Sequence, residues 1–255
     1  MKASTRMQLS ASLLLLFGAV TLSRAQDTFG SLTSLHFDIH YQSGVTPADA
    51  RKVHEFLQSE LKSMCADLGI DYKSKIEVRM YESVGKFLSE TGLTRPWRAA
   101  VYRRGVLSVQ PVAALEARKL FDKSLSYELA LAVLEQASQN GCPEWLIQSF
   151  AVYYSGETAG MTPPLGARLS AFSDLNQDIQ EHDNPPQRDD VHFILGSTMT
   201  FLVEKYGERR AFQLFREFDG VSPADKVFKK VLGDDFATVE KAWAKYIALR
   251  TSTFH

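Results

Sequence analysis

The sequence predicts an α+β fold, with a small mixed sheet in its N-terminal third packed on a mainly helical C-terminal part. Three observations carry this. Short apolar–polar alternations at 35–41, 75–81 and 99–109 mark strands, and apolar residues at helical spacing fill the segments between them. After Val112 the strand patterns stop and helical ones take over. No internal repeat or low-complexity linker separates the two parts, so they are expected to share one core.

In 35–41 the alternation puts Phe37, Ile39 and Tyr41 on one face of a strand, which Ser43-Gly44 breaks. Thr46 then suits a helix cap, Pro47 the first helical position, and Asp49 the positive end of the helix dipole. Val53, Phe56, Leu57, Leu61, Met64 and Leu68 form the buried stripe of that helix, and Gly69 stops it. Ile76, Val78 and Met80 alternate as a second strand, followed by a short helix over 84–88. Residues 99–102 and 106–109 flank Arg103-Arg104-Gly105 as a hairpin. The expected order in this third is therefore β-α-β-α-β-β.

Residues 113–138 read as one or two helices, closed by Asn140-Gly141, and Pro143 opens another that runs to Tyr154. Residues 158–164 and 183–189 read as loops, the second because of Pro185-Pro186. Helices are expected over 191–206, which Gly207 ends, and over 208–218. Ser222-Pro223-Ala224-Asp225 starts a further helix, and Asp234-Asp235 leads into the last one, through Trp243 and Tyr246.

Composition bounds the function. The chain has 255 residues, 45% hydrophobic and 23% charged, which excludes a long disordered or fibrous protein. A formal charge of -1 without a long basic run argues against nucleic-acid binding by phosphate neutralisation. Residues 1–25 have the layout of a secretory signal peptide: basic Lys2 and Arg6, an apolar stretch over 11–22, then small Ser23 and Ala25. Cleavage is expected before Gln26. The apolar run is shorter than the roughly 20 residues a spanning helix needs, and no later segment is apolar enough, so no membrane span is expected after cleavage. Residues 26–255 read as a single secreted or periplasmic domain, with an α/β part over about 33–110 and a helical part over about 111–250. Export permits a disulfide between Cys65 and Cys142; two buried free thiols are the other reading.

Histidines offer little for metal binding. His36 and His40 have the spacing a zinc-binding helix uses, but on a strand they stand roughly 13 Å apart, too far for one ion. His182, Asp183, Asp189, Asp190 and His192 form a polar cluster around the Pro-Pro loop, read as a solvated loop with a helix cap; a cation site is the alternative. No glycine-rich phosphate loop and no G-x-S-x-G nucleophile elbow is present, and neither cysteine has a histidine near it in sequence.

Two helical segments carry the most information. One is Leu125-Ser126-Tyr127-Glu128-Leu129-Ala130-Leu131. The other, about a dozen residues on, is Pro143-Glu144-Trp145-Leu146-Ile147-Gln148-Ser149-Phe150-Ala151-Val152-Tyr153-Tyr154-Ser155-Gly156. This pair resembles the core of secreted peptidase-MA-like (gluzincin) zinc metallopeptidases. Their first helix reads H-E-L-x-H and their second roughly P-x-W-L-x-E-G-x-A-x-Y-x-x-G. The 36–41 strand, Trp97, the 196–207 stretch and the Trp243 helix fit the same order, so the resemblance spans roughly 35–250. It implies a zincin-like fold and, in the family, zinc-dependent peptide hydrolysis.

The departures from that pattern decide the functional expectation. The family's two zinc histidines fall at Tyr127 and Leu131, one helical turn apart, and its third ligand, a glutamate, falls at Gln148. Leu131 cannot bind a metal, and Tyr127 would have to ionise from a pKa of about 10. Only the family's general base is kept, as Glu128, and that base works on metal-bound water. No zinc and no other cofactor is therefore expected, and Glu128 is expected to bond neighbours such as Tyr127 or Gln148. Substrate peptides in the family align along an edge strand, here within 99–109, and such pairing needs no catalytic group. The expectation is a secreted, catalytically inactive metallopeptidase-like protein that binds a peptide or an envelope protein. One alternative is a hydrolase rewired around Glu128, with Tyr127 or Glu135, or with a metal in 182–192. Another is a purely structural envelope scaffold.

Overall fold

A computed structural model of the chain describes residues 29–94, 98–138, 141–157, 171, 172, 175 and 185–252. The expectations for the signal segment, Trp97, Asn140, loop 158–164, His182 and Asp183 lie outside these residues.

The architecture is α+β. In chain order it runs β1 (Phe29–Thr33), β2 (Phe37–Gln42), α1 (Pro47–Leu68), β3 (Ile76–Met80), α2 (Val84–Thr91), β4 (Ala100–Arg103) and β5 (Val106–Val109). The helical part follows as α3 (Val112–Ala117), α4 (Phe121–Ala137), α5 (Glu144–Tyr154), α6 (Pro185–Tyr206), α7 (Glu208–Glu217), α8 (Ala224–Leu232) and α9 (Phe236–Ser252). The five strands form one mixed sheet in the order β1-β2-β3-β5-β4. β2, β3 and β5 are parallel, while the outer strands β1 and β4 run antiparallel to their neighbours. The parallel centre follows from α1 and α2 serving as crossovers, and the antiparallel edge from the tight β4–β5 turn.

Local chemistry sets the element ends. Thr46 Oγ1 accepts the Asp49 N–H at 3.1 Å at the start of α1, and Gly69 stops the helix with φ 63°. The buried stripe of α1 is Val53, Leu57, Leu61, Met64 and Leu68, joined by Ala50. Phe56 is only partly buried and meets Phe121 edge-on at 5.3 Å.

Two expectations need correcting. The first third begins with a strand that the pattern β-α-β-α-β-β lacks. β1 has little apolar alternation of its own and exists through its partner, pairing with β2 from Phe29↔Gln42 to Thr33↔Asp38. A Cβ at Gly30 would come within 2.3 Å of the Tyr41 ring, so a larger residue there obliges that side chain to move. The loop expected over 183–189 is helical from Pro185 onward. Both prolines fall in the first turn, where a missing N–H leaves no bond unmade.

One apolar core runs through both parts. Phe37, Ile39, Ile76, Val78 and Leu107 line the sheet face and are continuous with Leu57 of α1, Leu129 of α4 and Phe150 of α5. Each such side chain contributes about 1.5–3 kcal/mol on burial. Deeper in the helical part, Trp145 stacks on Phe172 at 4.7 Å, and Phe172 meets Trp243 at 4.9 Å. Val101 belongs to a separate small cluster with Tyr81 and Phe87. Gly141, between α4 and α5, abuts the backbone of Gly220, where a Cβ would come within 2.1 Å of the Gly220 nitrogen.

Candidate functional site

Helix α4 is buried almost all round, with Leu125 to Ala130 and Ala132 to Leu134 enclosed, which makes it a central helix. Its row Tyr127, Leu131, Glu135 repeats every four residues and so shares one face. In α5, Glu144 and Gln148 are likewise one turn apart. Because the helices are joined by a short turn, Glu135 and Glu144 stand at the turn end, with Leu131 and Gln148 one turn further in.

Two of the three positions at which the sequence resemblance implied zinc ligands are bonded to each other: the Tyr127 hydroxyl donates to Gln148 Oε1. The Tyr127 ring stacks on His192 of α6, with centroids 5.8 Å apart and planes at 19°. His192, only 8% exposed, places Nδ1 2.9 Å from Glu157 Oε2.

Glu128 turns away from this group. It is 5% exposed, and its Oε2 accepts the Tyr102 backbone N–H at 2.7 Å. The β4–β5 connection is a two-residue turn, Arg104-Gly105, with φ 52° and 81°. In such a hairpin the flanking pair, Arg103↔Val106, exchanges hydrogen bonds, so the next pair, Tyr102↔Leu107, directs its amides outward. Glu128 thus caps the outer edge of β4, a backbone partner that the sequence reading did not foresee.

A cleft of about 370 Å³ lies between the β4–β5 hairpin and the α4–α5 pair. Tyr102, Arg103 and Arg104 form its strand side; half-buried Leu131, Ile147 and Gln148 form its helix side. Exposed Glu135 and Glu144 also border it, as does buried Cys142. Glu128 is not part of its lining. Burial, and next the neighbouring Glu135 carboxylate, push the Tyr102 phenol well above its ordinary range. Burial also pushes the Cys142 thiol far up, so it stays protonated and a poor nucleophile. Cys65, on α1, and Cys142 are both free thiols.

The site's donors do not fit zinc. A phenol engaged as a hydrogen-bond donor, an alkyl side chain and a neutral amide hold the three positions. Among the described residues, no group of three or more His, Cys, Asp or Glu side chains converges as a metal site. His192 lies in α6, within the stretch expected to be helical, and is paired with Glu157. His40 lies on β2, with Nε2 3.4 Å from Asp38 Oδ2, and His36 precedes that strand.

A scan against models of known protein families finds no match for the chain, and a search of curated proteins finds none either. Among the described residues no helix is long and apolar enough to cross a membrane.

In the structure Tyr127 bonds Gln148, and Leu131 and Gln148 line one cleft. Sequence reasoning misses the His192–Glu157 pair, whose members are 35 residues apart and follow no spacing rule. The acidic mouth was within reach, since Glu135 and Glu144 are each one turn from a residue already singled out.

Proposed function

We propose that this chain is a zincin-like protein that has lost its zinc ligands and binds an extended peptide, or a segment of an envelope protein, after export. The observation that carries this reading is the cleft: it is bordered at once by the outer strand β4 and by Leu131 and Gln148, two of the positions that match the family's metal ligands. Its volume falls in the range of small-ligand pockets, about 300–1,000 Å³. Side chains of the cleft hold the peptide in this reading. Pairing with the Tyr102 N–H requires Glu128 to give way, because that donor is already engaged.

The rewired hydrolase is the weaker reading. Glu128 accepts a strand amide and is not among the residues that line this cleft. A hydrolase screen in which Glu128→Gln abolishes a measured turnover would revive it.

The test is a titration of the labelled protein with an extended-peptide library, followed by amide chemical shifts. Shift changes confined to 100–109 and to the α4–α5 turn are expected. A library that shifts none of these resonances overturns the reading.

A further inference from the structure

The cleft carries two opposite charged lips that do not neutralise each other. Arg103 and Arg104 sit at the tip of the β4–β5 hairpin, and Arg104 is held in a left-handed conformation by the two-residue turn. Glu135 and Glu144 stand at the α4–α5 turn. All four are exposed, all four line the same cleft, and among the described residues none of them forms a salt bridge. Between the lips lie Leu131 and Ile147, apolar and only half-buried. Long charged side chains of opposite sign around one small cleft pair readily if they can meet. These form no salt bridge with each other among the described residues; Glu135 also takes the Tyr102 phenol as a neutral partner, which leaves its charge uncompensated for one brought from outside.

We infer that the cleft selects a peptide segment with an apolar side chain flanked by one acidic and one basic residue: the apolar group rests on Leu131 and Ile147, the acid on Arg103 and Arg104, the base on Glu135 and Glu144. This rests on the peptide-binding reading above and specifies its ligand. Arginine suits the acidic partner because its planar fork grips a carboxylate with two parallel bonds. The pairs are solvent-exposed, so together they give about a tenfold preference, which weakens as salt rises. An all-basic or all-acidic peptide satisfies one lip and is repelled by the other.

The test uses three capped peptides with a central leucine: one with a lysine and a glutamate, one with two lysines, one with two glutamates. Each is titrated at low salt into the wild type, into Arg103→Glu/Arg104→Glu, and into Glu135→Lys/Glu144→Lys. The mixed peptide is expected to bind the wild type tightest, by about tenfold. The two-lysine peptide should become the best ligand of the first variant, and the two-glutamate peptide of the second. All four positions are exposed, so the variants are expected to keep the wild-type circular dichroism and unfolding midpoint. Binding with the same ranking in all three proteins overturns the charge selection and leaves peptide binding standing. Absence of binding by every peptide to every protein overturns both.

Discussion

The Tyr127 hydroxyl donates a hydrogen bond to the Gln148 side-chain carbonyl, tying α4 to α5. The groups are neutral and complementary, so they can share a mostly buried place without a cation between them. Tyr127→Phe keeps the ring on His192 and removes only the bond. It is expected to destabilise the fold by about 1 kcal/mol in urea unfolding. An unchanged midpoint would show that the bond contributes nothing.

Rebuilding the ligand set tests the zincin geometry directly. The wild type is expected to retain about zero zinc per chain after equilibration and dialysis. Tyr127→His, Leu131→His and Gln148→Glu together are expected to raise this to about one. A triple variant that folds and holds no zinc would argue against the zincin-like arrangement of α4 and α5.

Glu128 separates a folding role from a catalytic one. Glu128→Ala leaves the Tyr102 amide without its acceptor in a nearly closed place, at a cost of about 1–3 kcal/mol, and should speed hydrogen exchange at that amide. Glu128→Gln keeps a carbonyl acceptor and is expected to lose clearly less. Equal losses in the two variants would mean that the carboxylate's charge matters more than its acceptor oxygen.

Partly and fully buried tyrosines are expected to limit stability at alkaline pH. Burial, then the Glu204 carboxylate, push Tyr246 from 10 up to about 12. Burial pushes Tyr72, Tyr102 and Tyr154 upward as well. These phenols ionise more easily in the unfolded chain, so the unfolded state loses protons first. Stability should hold below pH 10 and fall as the pH rises from 10 to about 12. Unfolding midpoints against pH, with tyrosinate absorbance alongside, check this; a titration complete near pH 10 in the folded protein would contradict it.

Gly141 tests the contact between the α4–α5 turn and the segment preceding α8. A Cβ there meets Gly220 backbone atoms, which cannot swing aside as a side chain can. Gly141→Ala is expected to cost about 1–3 kcal/mol, the usual scale of overpacking. A midpoint equal to the wild type's would mean that the turn shifts freely.

What the sequence reveals divides by the range of the forces. α1 is legible from end to end because its cap, its stripe and its stop lie in one stretch, Thr46 to Gly69. The β4–β5 hairpin is legible for the same reason. β1 is not, since its strand character comes from β2 rather than from its own residues. The start of α6 is misread because Pro185-Pro186 signals both a loop and a first helical turn. At the site, the spacing of Tyr127, Leu131 and Gln148 is readable as helical geometry. The partner of Glu128 is not, because a backbone amide carries no side-chain signature and this one lies 26 residues away in the chain.

The Glu128–Tyr102 bond also bears on how these molecules behave in company. A sheet's outermost strand is a template on which a second molecule can add its own, the first step toward fibrils. β4 offers only four residues, and an outward donor at its middle is claimed from within by a carboxylate. A foreign strand arriving there meets a donor already bonded to a buried carboxyl group. Through this one bond Glu128 leaves β4 with one outward donor fewer for an incoming strand.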